Sequence, residues 1–123
     1  MDFSQTLMVS PSAPGDARRS LDRLAGMLRP DRLDDVRLVV SELVTNTLVH
    51  SGRGQQGTVE MRVQLLPGRL RVEVTDQGRE WGKSSSVERP EGGFGLLLVD
   101  HLAERWGHEG GDHTTVWAEL AVP

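Results

Sequence analysis

Between Val59 and Val74, apolar side chains recur at every second residue, and no other stretch constrains the fold as tightly. Val59, Met61, Val63 and Leu65 alternate with Glu60, Arg62 and Gln64, and after Pro67-Gly68 the residues Leu70, Val72 and Val74 repeat the pattern. Successive side chains of an extended chain point to opposite faces, so this reads as a β-hairpin with one buried face. Upstream the period is helical. Leu21, Leu24 and Leu28 form one stripe with Met27 beside it, predicting a first helix that starts at Asp16 as N-cap and ends at Pro30. Asp31 caps a second helix running to about His50, with Leu33, Val36, Val40 and Leu43 on its buried face. Phe3 to Val9 alternates weakly, as an edge strand closed by Pro11 and Pro14. A third helix from about Gly95 to Glu104 carries Leu96, Val99 and Leu102, and Thr115 to Val122 is a last strand. Helices on one face of a mixed, mainly antiparallel sheet make a two-layer α/β sandwich, expected as a single domain over 1–123.

Charge and composition remove several function classes. The net charge of −4 argues against direct binding to a nucleic-acid backbone. Without cysteine there is no disulfide scaffold, thiolate zinc site or cysteine nucleophile. The aliphatic runs Leu38–Val40 and Leu96–Val99 are far shorter than the roughly 20 residues that span a bilayer, so no membrane association is expected. The N-terminus has acidic Asp2 and no long apolar run, which leaves the cytoplasm as the expected address. Glycine is abundant, at 14 residues, and is concentrated around the long irregular segment from Gln77 to Gly93. Long loops in small domains are usually functional or disordered, so this segment is where function is sought first.

Three local patterns carry chemistry. Glu42 and Asn46 are four residues apart in the second helix and so share a face, with His50 one turn further on. Most isolated pairs of this kind are solvated polar stripes. Asn is a poor helix former, however, and Asn46 sits among apolar neighbours. A carboxylate beside an amide oxygen suits holding Mg²⁺ and positioning a nucleophile near a phosphate. The hairpin ends in Asp76-Gln77-Gly78, commonly just a turn. A buried carboxylate there can accept from an exocyclic amine, and Gly78 would let the backbone pass close to a flat ring. The segment closes with Gly92-Gly93-Phe94-Gly95-Leu96, opening the third helix, where backbone N–H groups suit either phosphate binding or a flexible hinge. Gly82-Lys83-Ser84 is a decoy: a phosphate-binding P-loop needs glycine where Gln77 stands. His101, His108 and His113 show no ligand spacing and are expected on the surface. Trp106 and Trp117 are expected in the core, and Trp81 under a closed lid.

In this order and on these elements, the patterns resemble the nucleotide-binding domain of the GHKL ATPases, the Bergerat fold. Ser41-Glu42-Leu43-Val44-Thr45-Asn46, Gly95-Leu96-Leu97-Leu98-Val99-Asp100 and Arg105-Trp106-Gly107 resemble, within it, the anti-sigma factor serine/threonine kinases. The resemblance runs from about Asp16 to Val122. It implies ATP and Mg²⁺ as cofactors, with the Asn46 side-chain oxygen on the metal and Glu42 as general base toward the attacking hydroxyl. It further implies Asp76 on the adenine amino group with Gly78 beneath the ring. Gly93, Gly95 and the N–H of Leu96 would hold phosphates at the base of a lid over about 77–93. Thr115 would lie near the adenine and His50 would face the same pocket. Two positions depart from the family pattern: Glu80 replaces the second glycine of D-x-G-x-G, and Thr114 stands where a lysine is frequent.

The function this implies is an ATP-dependent protein serine/threonine kinase that phosphorylates an anti-anti-sigma (STAS-type) protein and sequesters a sigma factor. A homodimer through the first helix is implied as well. Arg79, Lys83 and Arg89 are candidates for the γ-phosphate. Two alternatives stay open: a non-catalytic nucleotide-binding partner-switching module, and an adaptor of similar fold that binds no nucleotide. A complete histidine kinase is not expected, because a phosphoacceptor helix pair does not fit beside this domain in 123 residues.

Overall fold

The period-two stretch forms the hairpin that its alternation dictates, and the rest of the chain is arranged around it. The computed structural model describes residues 1–50, 57–76, 96–110 and 114–122. In chain order these form β1 (Asp2–Met8), α1 (Ala13–Ser20), a 3₁₀ turn (Leu21–Leu24), α2 (Pro30–His50), β2 (Thr58–Leu66), β3 (Arg69–Asp76), α3 (Leu97–Leu102), β4 (Arg105–Glu109) and β5 (Thr115–Ala121). The strands make one five-stranded sheet in the order β1-β2-β3-β5-β4. All four pairings are antiparallel, so the sheet of the described residues has no parallel component.

One face of the sheet packs against the helices. Registers Leu7↔Val59, Met61↔Val74, Val63↔Val72 and Val72↔Ala118 align the inward side chains across the strands. These residues are buried together with Leu33, Val36, Val40 and Leu43 of α2, as the helical period requires. Each such Val or Leu contributes roughly 1.5–3 kcal/mol relative to an exposed side chain. The open face carries Arg62, Arg71, Glu73, Thr75, Trp117 and Glu119.

Several local expectations are corrected. The first helix starts at Ala13, not Asp16, and Ser12 is its N-cap. Pro14 lies in its first turn, where the missing N–H has no intrahelical partner to lose. The helix ends at Ser20. The stripe Leu21, Leu24 is carried by the 3₁₀ turn, and Gly26 then reverses the chain at φ +87°, a backbone state disfavoured for other residues. Pro30 begins α2 instead of terminating α1, for the same reason as Pro14. β4 is a strand that was not expected, because only Trp106 of its five residues is large and apolar. Trp106 packs against the core from the inner face. Trp117, expected in the core, lies on the open face. The Arg71 guanidinium sits 4.4 Å over its ring, and Gly107 of β4 lies beside it. A Cβ at Gly107 would come within 3.1 Å of Trp117 Cζ2, so glycine lets the indole lie against β4 without shifting.

Candidate active site

The site is built on the middle of α2 and the last residue of β3. Glu42 and Asn46 lie one turn apart on α2. Glu42 is half-buried, on the border between the buried face and the exposed one. Asn46 is only 8% exposed. Its side-chain oxygen Oδ1 is buried and has no hydrogen-bond partner, the one such side-chain atom among the described residues. The next residue shows the ordinary solution for a buried polar group in a helix: Thr47 Oγ1 donates to the Leu43 carbonyl at 2.9 Å. A buried acceptor left unsatisfied costs about 1–3 kcal/mol, so Asn46 Oδ1 is strained for lack of a donor or a cation. A hard oxygen of this kind fits Mg²⁺. Beside it, Ser41 accepts a hydrogen bond from Arg18 Nη1 at 2.8 Å, which ties α1 to the helix that carries Glu42.

Asp76 is 2% exposed. It shares its face with Val72 and Val74 and pairs with Val59, so its carboxylate belongs to the inner, helix-covered side of the sheet. The sequence therefore places a carboxylate where an apolar residue would continue the pattern. Its backbone N–H donates to the Thr114 carbonyl at 2.9 Å.

Thr115 lies on the other face of the sheet from Asp76. Its hydroxyl is 2.9 Å from that of Thr75, with which it pairs across β3 and β5, on the open face away from Asp76. Alternation along β5 assigns the inner side to Val116, and extended one residue beyond the start of the strand it would put the exposed Thr114 on that side too. The threonine opposite Asp76 is thus Thr114, and counting alternate residues back from Leu120, Ala118 and Val116 would have found it in the sequence. Leu96 is buried and is the N-cap residue of α3, its carbonyl accepting the Asp100 N–H at 2.9 Å. His50 closes α2, and its side chain lies outside the described residues. Gly78, Gly93, Gly95 and the lid over 77–93, with Arg79, Lys83, Arg89 and Trp81, lie outside them as well. So does His113, whereas His101 and His108 are on the surface as expected. Among the described residues, no group of three or more His, Asp or Glu side chains is arranged to hold a metal ion. None of their helices is long and apolar enough to cross a membrane.

A second polar cluster occupies the open face. Glu119 is 7% exposed and accepts from Arg71 Nη1 at 2.8 Å and from Arg105 Nη2 at 2.5 Å. Burial by itself would push its carboxyl up, but the two arginines outweigh this and hold it below the usual glutamate value. Arg71, which also donates to Glu73 at 2.8 Å, is raised above its usual value: its own burial opposes this, and the two carboxylates outweigh it. With every charge paired, this cluster serves strand-to-strand cohesion.

The chain is similar to several known proteins. A family model described as a histidine kinase-like ATPase domain matches residues 10–120. The serine-protein kinase RsbW of Bacillus licheniformis is 31% identical over 117 residues, covering 79% of this chain and 73% of that protein. The anti-sigma F factor of a Clostridium botulinum strain is 34% identical over 50 residues, 40% of this chain. RsbW of Halalkalibacterium halodurans is 27% identical over 88 residues, 61% of this chain. The match spans only 35% of the length of the Clostridium protein and 54% of the Halalkalibacterium one. Among solved structures, the RsbU and RsbW domains of a Mycobacterium tuberculosis protein superpose with a TM-score of 0.75 at 18% identity. That alignment covers 99% of this chain and 32% of the other and bears on the fold alone.

Proposed function

The chain belongs to the family of histidine kinase-like ATPase domains, and from that premise we propose that it is an ATP-dependent serine/threonine protein kinase of the anti-sigma factor type. Its protein substrate is an anti-anti-sigma (STAS-type) partner, and its second partner is a sigma factor that it sequesters. The relatives named anti-sigma F factor and serine-protein kinase RsbW support this reading. The observation that carries it is the buried, unsatisfied Oδ1 of Asn46 one helical turn from Glu42. An unliganded structural domain has no use for that arrangement, and a nucleotide site does.

Mg·ATP, when bound, supplies the transferable phosphoryl group, with the ion offsetting phosphate charge. Asn46 would hold the metal through Oδ1. Asp76, buried on the inner side of the sheet, would accept from the adenine amino group, with Gly78 beneath the ring and Thr114, opposite Asp76, beside it. Gly93, Gly95 and the N–H of Leu96 would hold the phosphates, with His50 at the end of α2 as a further candidate to contact them. Glu42 takes the proton of the attacking serine hydroxyl; its position at the rim of the buried face leaves it open to a protein substrate. A homodimer through α1 and a cytoplasmic location complete the reading.

A second reading, a non-catalytic nucleotide-binding partner-switching module, is favoured by Glu80 in place of the second glycine of D-x-G-x-G. One experiment separates the two: Mg·ATP binding and γ-phosphate transfer to candidate STAS-type partners, measured for the wild type, Asn46→Ala and Glu42→Ala. The kinase reading expects no binding in Asn46→Ala, and binding without transfer in Glu42→Ala. A wild type that binds but never transfers leaves the second reading, and one that binds no nucleotide removes both.

A further inference from the structure

Asp100 and Trp106 lie in two of the segments that gave the sequence its family likeness, yet the site described above uses neither. The structure joins them: Nε1–H of the Trp106 indole donates to Asp100 Oδ1 at 2.8 Å. α3, which carries Asp100, has six residues and is too short to keep its place through its own hydrogen bonds. On one side Leu96 and Val99 are buried in the core, and α3 packs there against α2. Burial of this kind is non-directional: it holds α3 near α2 without setting its rotation or axial position. A hydrogen bond to a charged acceptor is directional and sets both. The donor is itself firmly placed, because Trp106 pairs with Ala118 of β5 and the neighbouring Arg105 is bound to Glu119. The Glu104 N–H adds a bond to the Glu119 carbonyl at 2.8 Å. α3 is therefore held between the helix that carries Glu42 and Asn46 and an anchored edge strand.

We infer that Asp100 and Trp106 are positioning residues for the nucleotide site, acting through the seat of α3 against α2 and touching no ligand themselves. The inference rests on the ATP-binding reading above. Its test is calorimetric titration with Mg·ATP of the wild type, Asp100→Ala, Asp100→Asn, Trp106→Phe and the double variant D100A/W106F, with a thermal melt of each. Asp100 is exposed and Trp106→Phe keeps the aromatic packing, so these variants fold. Asp100→Ala and Trp106→Phe should each weaken binding by roughly threefold to tenfold, the range that one lost hydrogen bond explains. The double variant should be no weaker than either single one, because both remove the same bond. Asp100→Asn, which keeps an acceptor oxygen, should bind like the wild type. Melting temperatures that fall while affinity stays constant would mean a merely structural contact and overturn the inference. So would an Asp100→Asn as weak as Asp100→Ala, or additive losses in the double variant. A wild type that binds no Mg·ATP would refute the ATP reading itself, and the inference with it.

Discussion

The hydroxyls of Thr75 and Thr115 meet at 2.9 Å on the open face of the sheet, and this contact decides on which side their neighbours lie. Asp76, one residue after Thr75, points inward; Thr114 stands opposite it just before β5, its carbonyl accepting the Asp76 N–H, and the alternation extended by one residue would put its exposed side chain on the same side. Thr114→Val should therefore weaken Mg·ATP binding severalfold, while Thr115→Val should change it less than twofold and lower stability by about 1 kcal/mol. Titration calorimetry and urea melts of both variants check this. The reverse order of affinities would return the adenine side of the sheet to Thr115.

The buried Oδ1 of Asn46 has no hydrogen-bond partner, and on the proposed reading a ligand supplies one. Replacing Asn46 by Leu, close in volume and a better helix former, removes the unsatisfied oxygen. Unliganded Asn46→Leu should be more stable than the wild type by about 1 kcal/mol and should bind no Mg·ATP. A melt without nucleotide gives the first number and a titration the second. A destabilised variant would show that the amide is satisfied within the protein.

Glu119 sets an acid limb on the stability curve. Its folded-state carboxyl lies below the usual value, so its contribution is complete above the ordinary carboxylate range and is lost as pH falls through the depressed value. At pH 7 Glu119→Gln should cost about 1–2 kcal/mol through its weakened bonds to Arg71 and Arg105. The gap to the wild type should narrow as pH drops below about 4, where the carboxylate of the unfolded chain begins to protonate while the folded one still resists, and close as pH falls through the depressed folded-state value. Urea melts between pH 7 and pH 3 follow the difference, and a gap independent of pH would contradict the assignment.

Gly107→Ala tests the flat seat of Trp117. The added methyl would meet the ring at 3.1–3.3 Å, so the indole must give by a few tenths of an ångström and disturb its stacking with Arg71. A loss of about 1–3 kcal/mol is expected, with a change in tryptophan emission. An unchanged melt and spectrum would mean that the β4–β5 edge yields without resistance.

Asn46 and Asp76 stand out in the sequence because each breaks a pattern that its neighbours keep, and Glu42 stands out only by its spacing from Asn46. Asn46 interrupts a buried helical face and Asp76 ends an apolar alternation. Two adjacent threonines are chemically alike, so residue type alone does not separate Thr115 from Thr114; alternation along β5 and register with β3 do, with Thr115 on the open face. The proline errors have the same root. Pro14 and Pro30 read equally well as the end of one element or the start of the next, since a missing N–H is tolerated at both.

The amino-acid sequence alone thus determined the hairpin, the long α2 and the residues able to carry chemistry, because periodicity and residue type are local properties of the chain. The tertiary structure decided what depends on distant partners. It made β4 a strand by pairing Arg105–Glu109 with β5, and it put Trp117 on the open face above Gly107. It left Asn46 Oδ1 buried without a donor and joined Trp106 to Asp100. Burial and hydrogen-bond satisfaction belong to pairs of residues brought together by folding, and no single stretch of sequence contains them.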